Sequence, residues 1–440
     1  MSPSLRTIDS DEIFPQTADV VVIGGGIVGA STAYYLAKDG VSVALVEKGV
    51  VGGEQSSRNW GWCRQQNRDE RELPMAGLSL RLWEQFQTES GHDAGFRRCG
   101  LLYATEDPQQ LAGWEKWQET GHRFGVDTRM LSAKETRDRT AGAHRNWIGG
   151  VHCVDDGTAE PALAAPAFAL AARDKGANIQ QNCAVRGLDI SNGTVRGVYT
   201  EKGLIRARAV VCAGGAWASM FCRHHGISFP QACIRSSALR TTLSNGLPPA
   251  FYNPECAFTQ RHDGSYTLAI SGKGQLEITP QGIRYAKAFL PIFIKRLKAI
   301  ELGIGRSFFS GPESLARWKS DGISPFEKNR ILDPAPNKRT IAELIRRARS
   351  LYPEIENMDI LESWGSYIDS TPDAVPVISP VWQINGFYLS AGFSGHGFGI
   401  GPAAGLLGAE LVTNKTPSLD PAPFSLDRFS DGSKIKVGAL

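Results

Sequence analysis

No apolar run in this 440-residue chain reaches the ~18 residues that a membrane-crossing helix needs. The opening segment, MSPSLRTIDSDEIFPQ, also lacks the basic and apolar regions of a secretory leader. A cytoplasmic location is therefore the expectation. The cysteines Cys63, Cys99, Cys153, Cys183, Cys212, Cys222, Cys233 and Cys256 form no C-x-x-C pair, and no histidines stand at zinc-ligand spacing. Reduced, mostly buried thiols and no metal site are expected. Neither sign of charge is in excess. With 48 Lys and Arg against 45 Asp and Glu, the net charge of +3 is too small to argue for nucleic acid or an anionic membrane as partner. What is there is an enzyme-like composition, 42% hydrophobic and 21% charged with 48 glycines, long enough for two domains with separate cores.

The stretch from Asp19 to Glu47, DVVVIGGGIVGASTAYYLAKDGVSVALVE, carries the best-specified chemistry. It reads as strand, glycine turn, helix and strand. Val20 to Ile23 is a short apolar run suited to a parallel strand buried on both faces. Gly24, Gly26 and Gly29 then fit G-x-G-x-x-G, whose glycines permit the tight turn, the approach of a pyrophosphate and close packing of helix on strand. The helix opening at Ile27 and Val28 offers free N–H groups and positive dipole to phosphate. Glu47, with Lys48 beside it, ends the second apolar run, where a carboxylate accepts from both hydroxyls of an adenosine ribose. It disfavours a 2′-phosphate, so FAD or NAD fits better than NADP.

The next run, GVVGGEQSSRNWGWCRQQNRDERELP, is the most unusual. Ser56 and Ser57 suit a cap of the next helix or donation to phosphate. Arg58, Asn59, Trp60, Gly61, Trp62 and Arg64 follow closely. Either tryptophan alone reads as a core aromatic; the whole run reads as a wall beside a cofactor's reactive ring. Helices are expected near 79–90, 108–124 and 133–139, with a strand at 99–105. Asp155, Asp156 and Thr158 read as turn and cap residues. Three strand-like pieces with Asn-Gly and Lys-Gly turns lead to a buried strand, Ala209 to Cys212, and then to Ala213, Gly214 and Trp217, a second backbone approach to the same dinucleotide.

From 227 to 304 short alternating strands predict a second sheet. The helix expected at 285–302 places Leu290, Ile294, Leu297 and Ile300 on one stripe, for packing on that sheet or on another copy of the chain in a homo-oligomer, the commoner uses of such a face, with docking on a membrane surface as the alternative. Near the C-terminus a strand, Gly386 to Ser390, enters a glycine loop, Gly392 to Gly401, that carries His396, and Pro402 is expected to open a helix. The fold class is thus α/β. A Rossmann-type dinucleotide domain, discontinuous over 1–75, 150–226 and 340–440, is expected beside an α+β substrate domain with a mixed sheet over 76–149 and 227–339.

GGGIVG with Glu47, AVVCAGGAW, STPDAVPVIS and GFSGHGFGIGPAAG, in this order, resemble the D-amino-acid oxidase, glycine oxidase and sarcosine oxidase family of FAD enzymes. SSRNWGWCRQQ is most similar to the branch containing iminodiacetate oxidase. The resemblance implies that Val185 meets the adenine through its backbone and that Ser56 to Trp62 line the cofactor's middle. It also implies that Gly392, Phe393, Ser394, Gly395, His396 and Gly397 meet the ring edge. The cysteine through which sarcosine oxidases attach flavin falls on Ser366, so FAD is expected to be non-covalent. The carboxylate-gripping arginine of glycine oxidases falls on Ile368, and the lysine of sarcosine oxidases on Gly399. An amino-acid substrate still needs a positive partner. Arg64, Arg235, Arg261 and Lys273 are the candidates, with Tyr367 as hydroxyl donor, and the sequence does not choose among them.

The resulting expectation is an FAD-dependent oxidation of a small secondary amine carboxylate such as iminodiacetate. Hydride passes from Cα to flavin N5, the imine hydrolyses to an amino acid and an oxo acid, and O2 becomes H2O2. The rival keeps the fold and oxidises a D-amino acid, hydroxyproline or a 2-hydroxy acid, passing electrons to a quinone or carrier. A non-catalytic dinucleotide-binding protein and an NAD-dependent dehydrogenase complete the alternatives; the last leaves the glycine loop at 392–401 unexplained.

Overall fold

The computed structural model describes residues 3–242, 247–297 and 300–438. Val20–Ile23 lies at the centre of a six-stranded sheet, parallel to Val43–Val46 on one side and Ala209–Cys212 on the other. Phe387–Ala391 and Val377–Pro380 extend the second side, and Asn178–Gln180 the first. Only the outermost pair, Val377–Pro380 with Phe387–Ala391, is antiparallel. Alternate residues of the central strand feed two cores. Val20 and Val22 join the core beneath the helices Ile27–Lys38, Ala164–Asp174 and Gly397–Val412, while Val21 joins Val210, Trp217 and Phe221 on the opposite face. This two-sided burial is why the strands read as unbroken apolar runs.

The glycine turn is dictated by close approach. Gly24 has φ +102°, and a Cβ on Gly29 would stand 1.9 Å from the Gly24 carbonyl oxygen, so helix and strand could not meet as they do with any larger residue. The meander Val185–Ser191, Thr194–Thr200 and Gly203–Arg206 turns at Asn192 and Gly193, both left-handed, as the Asn-Gly pair predicts.

A second, mixed sheet carries Ile300–Gly303, Gly274–Glu277, Ala232–Thr241, Tyr266–Ala269, Ala257–Gln260, Ala250–Tyr252, Leu101–Thr105, Gly149–Cys153 and Thr128–Ser132 in that order. Ile360–Ser370, expected in the dinucleotide unit, instead pairs along the length of Ala232–Thr241. Helix Lys338–Leu351 goes with it, burying Leu344, Ala348 and Leu351 against Phe251 and Phe258.

The helix expected at 285–302 runs over Pro280–Arg296, because Thr279 caps it by accepting the Gly282 N–H at 3.0 Å. Its apolar stripe is not buried on the sheet: Leu290, Ile294 and Leu297 are exposed, and Ile300 belongs to an edge strand. Helix Gly397–Val412 starts five residues ahead of Pro402, which lies inside it. Among the described residues no helix is long and apolar enough to cross a membrane. The eight cysteines are free thiols, seven buried and Cys99 partly so.

Candidate active site

A cavity of about 970 Å³ starts at the C-terminal ends of the parallel strands and runs to the second sheet. Glu47 lines the end of it that the parallel strands form. Its carboxylate accepts the Gly25 and Gly49 N–H groups, each at 2.7 Å, and burial raises its pKa. The remaining lone pairs suit ribose hydroxyls. Lys48 is fixed by Glu54 at 2.5 Å and lies 5.0 Å from the Trp217 ring centroid. Ser56 caps backwards rather than forwards: its Oγ accepts the Ile27 N–H at 2.9 Å, joining the run after Glu47 to the helix that begins the dinucleotide turn.

All the expected cofactor residues line this cavity except Gly29, Ser57, Gly61 and Gly392, which stand one layer back. Gly29 lets the helix reach the turn, Ser57 donates to the Glu54 carbonyl at 3.2 Å, and Gly61 donates to Asn59 at 2.7 Å. Gly392 donates its N–H to Asp369 at 2.8 Å. Arg58 is committed to Asp333 at 2.6 Å and to the Gly365 carbonyl at 3.1 Å. Trp60 and Trp62 meet edge to face, 5.1 Å between centroids, and the indole Nε1 of Trp62 is buried without a hydrogen-bond partner among the described residues.

The candidate substrate residues separate. Arg64, Lys273, Tyr367 and His396 line the cavity; Arg235 and Arg261 do not. Arg235 turns to Gln275 at 2.9 Å and Glu277 at 3.5 Å, and Arg261 is buried in an ion pair with Glu160. Lys273 is engaged by Glu343, with Glu301 at 3.8 Å. Tyr367 Oη meets Ser307 Oγ at 3.4 Å, and burial raises its pKa. Ile368 also lines the cavity, its Cγ2 standing 3.5 Å from where a Cβ on Gly395 would be. An apolar contact thus occupies the place of the glycine oxidase arginine.

Four functional groups escape sequence reasoning. Arg68 follows Arg64 by four residues and lines the same cavity. Glu72, fully buried, accepts from His396 Nδ1 at 2.9 Å. With Nδ1 so engaged, His396 has Nε2 free of any hydrogen-bond partner among the described residues, and burial, helped by Arg68, lowers its pKa to about 4. The ring is neutral at pH 7. Asp369 accepts from Gly392 and, at 3.1 Å, from Gln231, tying the glycine loop to the second sheet; burial raises its pKa to about 6. Asp156, expected to cap its own turn, instead accepts the backbone N–H groups of Gln65 at 2.6 Å and Gln66 at 3.3 Å. Arg68 stands in a run already conspicuous for its arginines; the other three are recognisable only from contacts across 23 or more residues.

Helix Gly397–Val412 begins at the cavity with no side chain capping its first turn, so its N–H groups and dipole face the cavity. Two dipolar helix starts, a carboxylate with lone pairs to spare and an aromatic wall at one continuous cavity fit a dinucleotide whose second half lies between the two sheets. The model of the DAO family, FAD dependent oxidoreductase, matches residues 19–411. The chain belongs to this family of FAD-dependent oxidoreductases. It is 27% identical to sarcosine oxidase subunit beta of Rhizobium meliloti over 424 residues, 95% of this chain and 89% of that one. The structure of an L-amino acid deaminase from Proteus myxofaciens in complex with anthranilate matches with TM-score 0.92 and 32% identity, over 97% of each chain. Iminodiacetate oxidase from Chelativorans sp. BNC1 matches with TM-score 0.69 over 92% of this chain and 98% of that one, but at 18% identity, which speaks for the fold alone.

The protein is therefore an FAD-dependent enzyme that oxidises amine C–N bonds. With Ser366 in place of a flavin-linking cysteine, the cofactor is expected to come free on denaturation. Acid precipitation should leave the yellow colour in the supernatant, and a flavin retained in the pellet would show a covalent link.

Proposed function

We propose that the substrate is an α-amino carboxylate with a sizeable apolar side chain, oxidised to its imine and released as an oxo acid. The carrying observation is the wall of the cavity away from the dinucleotide turn: Leu276, Ile278, Ile283, Phe289, Leu290 and Phe293, supplied by the strand Gly274–Glu277, the helix Pro280–Arg296 and the short link between them. Filling such a wall with apolar atoms stabilises a complex by about 25 cal/mol per Å² removed from water. A compact dicarboxylate leaves it unfilled. The similarity to a deaminase bound to anthranilate, an aromatic amine carboxylate, points the same way.

Bound FAD supplies the hydride acceptor for the Cα–H bond. The chain's own residues do the rest. Trp60, Trp62 and Ile368 narrow the space in which the substrate can turn. Neutral His396 presents Nε2 as an acceptor without adding positive charge. The start of helix Gly397–Val412 directs its dipole at negative charge that develops in the site. Loss of the hydride and one amine proton leaves the imine, and water then yields the oxo acid and ammonia.

Iminodiacetate is the second reading, favoured by two guanidinium groups, Arg64 and Arg68, on one cavity. Assaying both enantiomers of leucine and phenylalanine beside iminodiacetate, sarcosine and glycine, with peroxide release and dye reduction followed in parallel, separates the two. Highest kcat/KM for an apolar amino acid is expected. Highest kcat/KM for iminodiacetate would install the second reading, and no turnover of any amine would end both.

A further inference from the structure

We infer that Arg68, seconded by Arg64, is the group that grips the substrate's carboxylate, an inference that rests on the amine-carboxylate reading above. Six cations line the cavity: Lys48, Arg58, Arg64, Arg68, Lys273 and Arg296. Lys48, Arg58 and Lys273 already hold Glu54, Asp333 and Glu343. Arg296 belongs to the outer helix and is only partly buried.

Arg68 differs from all of these. It is 3% exposed, and among the described residues no carboxylate oxygen comes within 4.0 Å of its guanidinium. Its Nε meets the Arg64 carbonyl at 3.5 Å, the limit of a hydrogen bond, and its Nη1 is buried with no hydrogen-bond partner among the described residues. Burial and the neighbouring Arg64 lower its pKa to about 9, which still leaves it charged at pH 7. Arg64 likewise has no carboxylate partner among the described residues; it donates to the Gln66 carbonyl and, at 3.4 Å, to Tyr103. A buried guanidinium that no carboxylate contacts directly is costly, and an anionic ligand removes part of that cost. The planar fork of Arg matches a carboxylate through two parallel N–H···O bonds.

The fork is also held ready. Arg68 donates its N–H to the Gln65 carbonyl at 3.0 Å, and Asn67 between them is left-handed at φ +59°. Asp156 clamps the backbone of Gln65 and Gln66, Thr128 donates to the Gln66 side chain at 2.6 Å, and Trp117 donates to the Arg68 carbonyl at 3.0 Å. A turn fixed from three sides loses little freedom when ligand arrives. Carboxylate at this turn and side chain against Phe289 and Phe293 would define a substrate charged at one end and apolar at the other.

The test uses purified holoenzyme, with benzoate and the uncharged isostere benzamide titrated against the flavin absorbance. Arg68→Gln should weaken benzoate at least about 30-fold and change benzamide less than about threefold, with FAD content intact and Arg68→Lys intermediate. KM for the best amino acid should rise in step, with kcat changed far less. Benzoate binding within threefold of wild type in both variants overturns the inference. So does a wild type that binds benzoate no better than benzamide, and so does loss of FAD from both variants, which would make Arg68 a structural residue. A wild type that binds benzoate through Arg68 yet oxidises no amine would overturn the proposed function alone.

Discussion

Glu72→Ala should lose most of its FAD and melt well below wild type. Glu72 is fully buried at the start of helix Leu73–Ser90, where its carboxylate bonds His396 and is the acid beside Arg68. Truncation leaves Arg68 and Arg64 facing each other in a dry site with less compensating charge, and leaves His396 Nδ1 without its acceptor. Leaving a buried donor without its acceptor costs about 1–3 kcal/mol, and more where the lost acceptor is charged. Glu72→Gln keeps an acceptor for Nδ1 but loses the charge, so it should fall between alanine and wild type. Flavin absorbance per protein and thermal midpoints measure both. Wild-type values in the alanine variant would show that the His396–Glu72 contact holds nothing together.

The same pair sets an acid limit. His396 has a folded pKa of about 4, below its ordinary 6.5, so between these values the unfolded chain takes up a proton that the folded chain refuses. Stability from this group is therefore present above about pH 6.5 and declines as pH falls towards 4. Removing the Glu72 charge lowers the His396 pKa further and carries the decline to lower pH. Asp369, raised to about 6 by burial, works in the opposite sense between pH 6 and 4, so the comparison of Glu72→Gln with wild type isolates the histidine.

How much of this was legible depended on how local each constraint is. The first turn could be read outright, because the closeness of Gly24 and Gly29 is enforced within six residues. The second turn at Ala213 and Gly214 and the glycine loop with His396 were legible as motifs, though the start of the last helix was not: Pro402 suggested an opening, while the helix is nucleated earlier, where Ser79 and Trp83 both donate to the Gly399 carbonyl at 2.8 and 2.9 Å. The choice among arginines was illegible. Arg235 and Arg261 are removed from the cavity by partners, Glu277 and Glu160, that lie 42 and 101 residues away. Arg68 is brought in by a four-residue turn that Asp156 clamps from 91 residues away. The placement of Ile360–Ser370 shows the same limit, since the strand is long enough to serve either sheet and only its pairing with Ala232–Thr241 decides.

Gly399→Lys, which would install the lysine that sarcosine oxidases carry at this position, should weaken FAD retention and stability rather than create a substrate anchor. A Cβ on Gly399 would stand 2.8 Å from the Trp62 carbonyl oxygen and 3.1 Å from Cys63 Cα. Both are backbone atoms of a strand that is itself pinned by Gly157–Thr158, so neither can swing aside. Nor can the helix retreat, because its Gly399 carbonyl holds Ser79 and Trp83. Overpacking of a well-filled contact costs about 1–3 kcal/mol, and two fixed backbones put this site at the upper end. The strain falls on Trp62 and on the first turn of helix Gly397–Val412, both of which line the cavity. Gly399→Ala should therefore show the same loss in milder form, since the Cβ alone makes the clash. Flavin content and thermal midpoint of the two variants decide it. If the lysine variant kept wild-type FAD and stability while gaining affinity for benzoate, the close approach of helix to strand would be no barrier, and the absence of lysine here would need another cause.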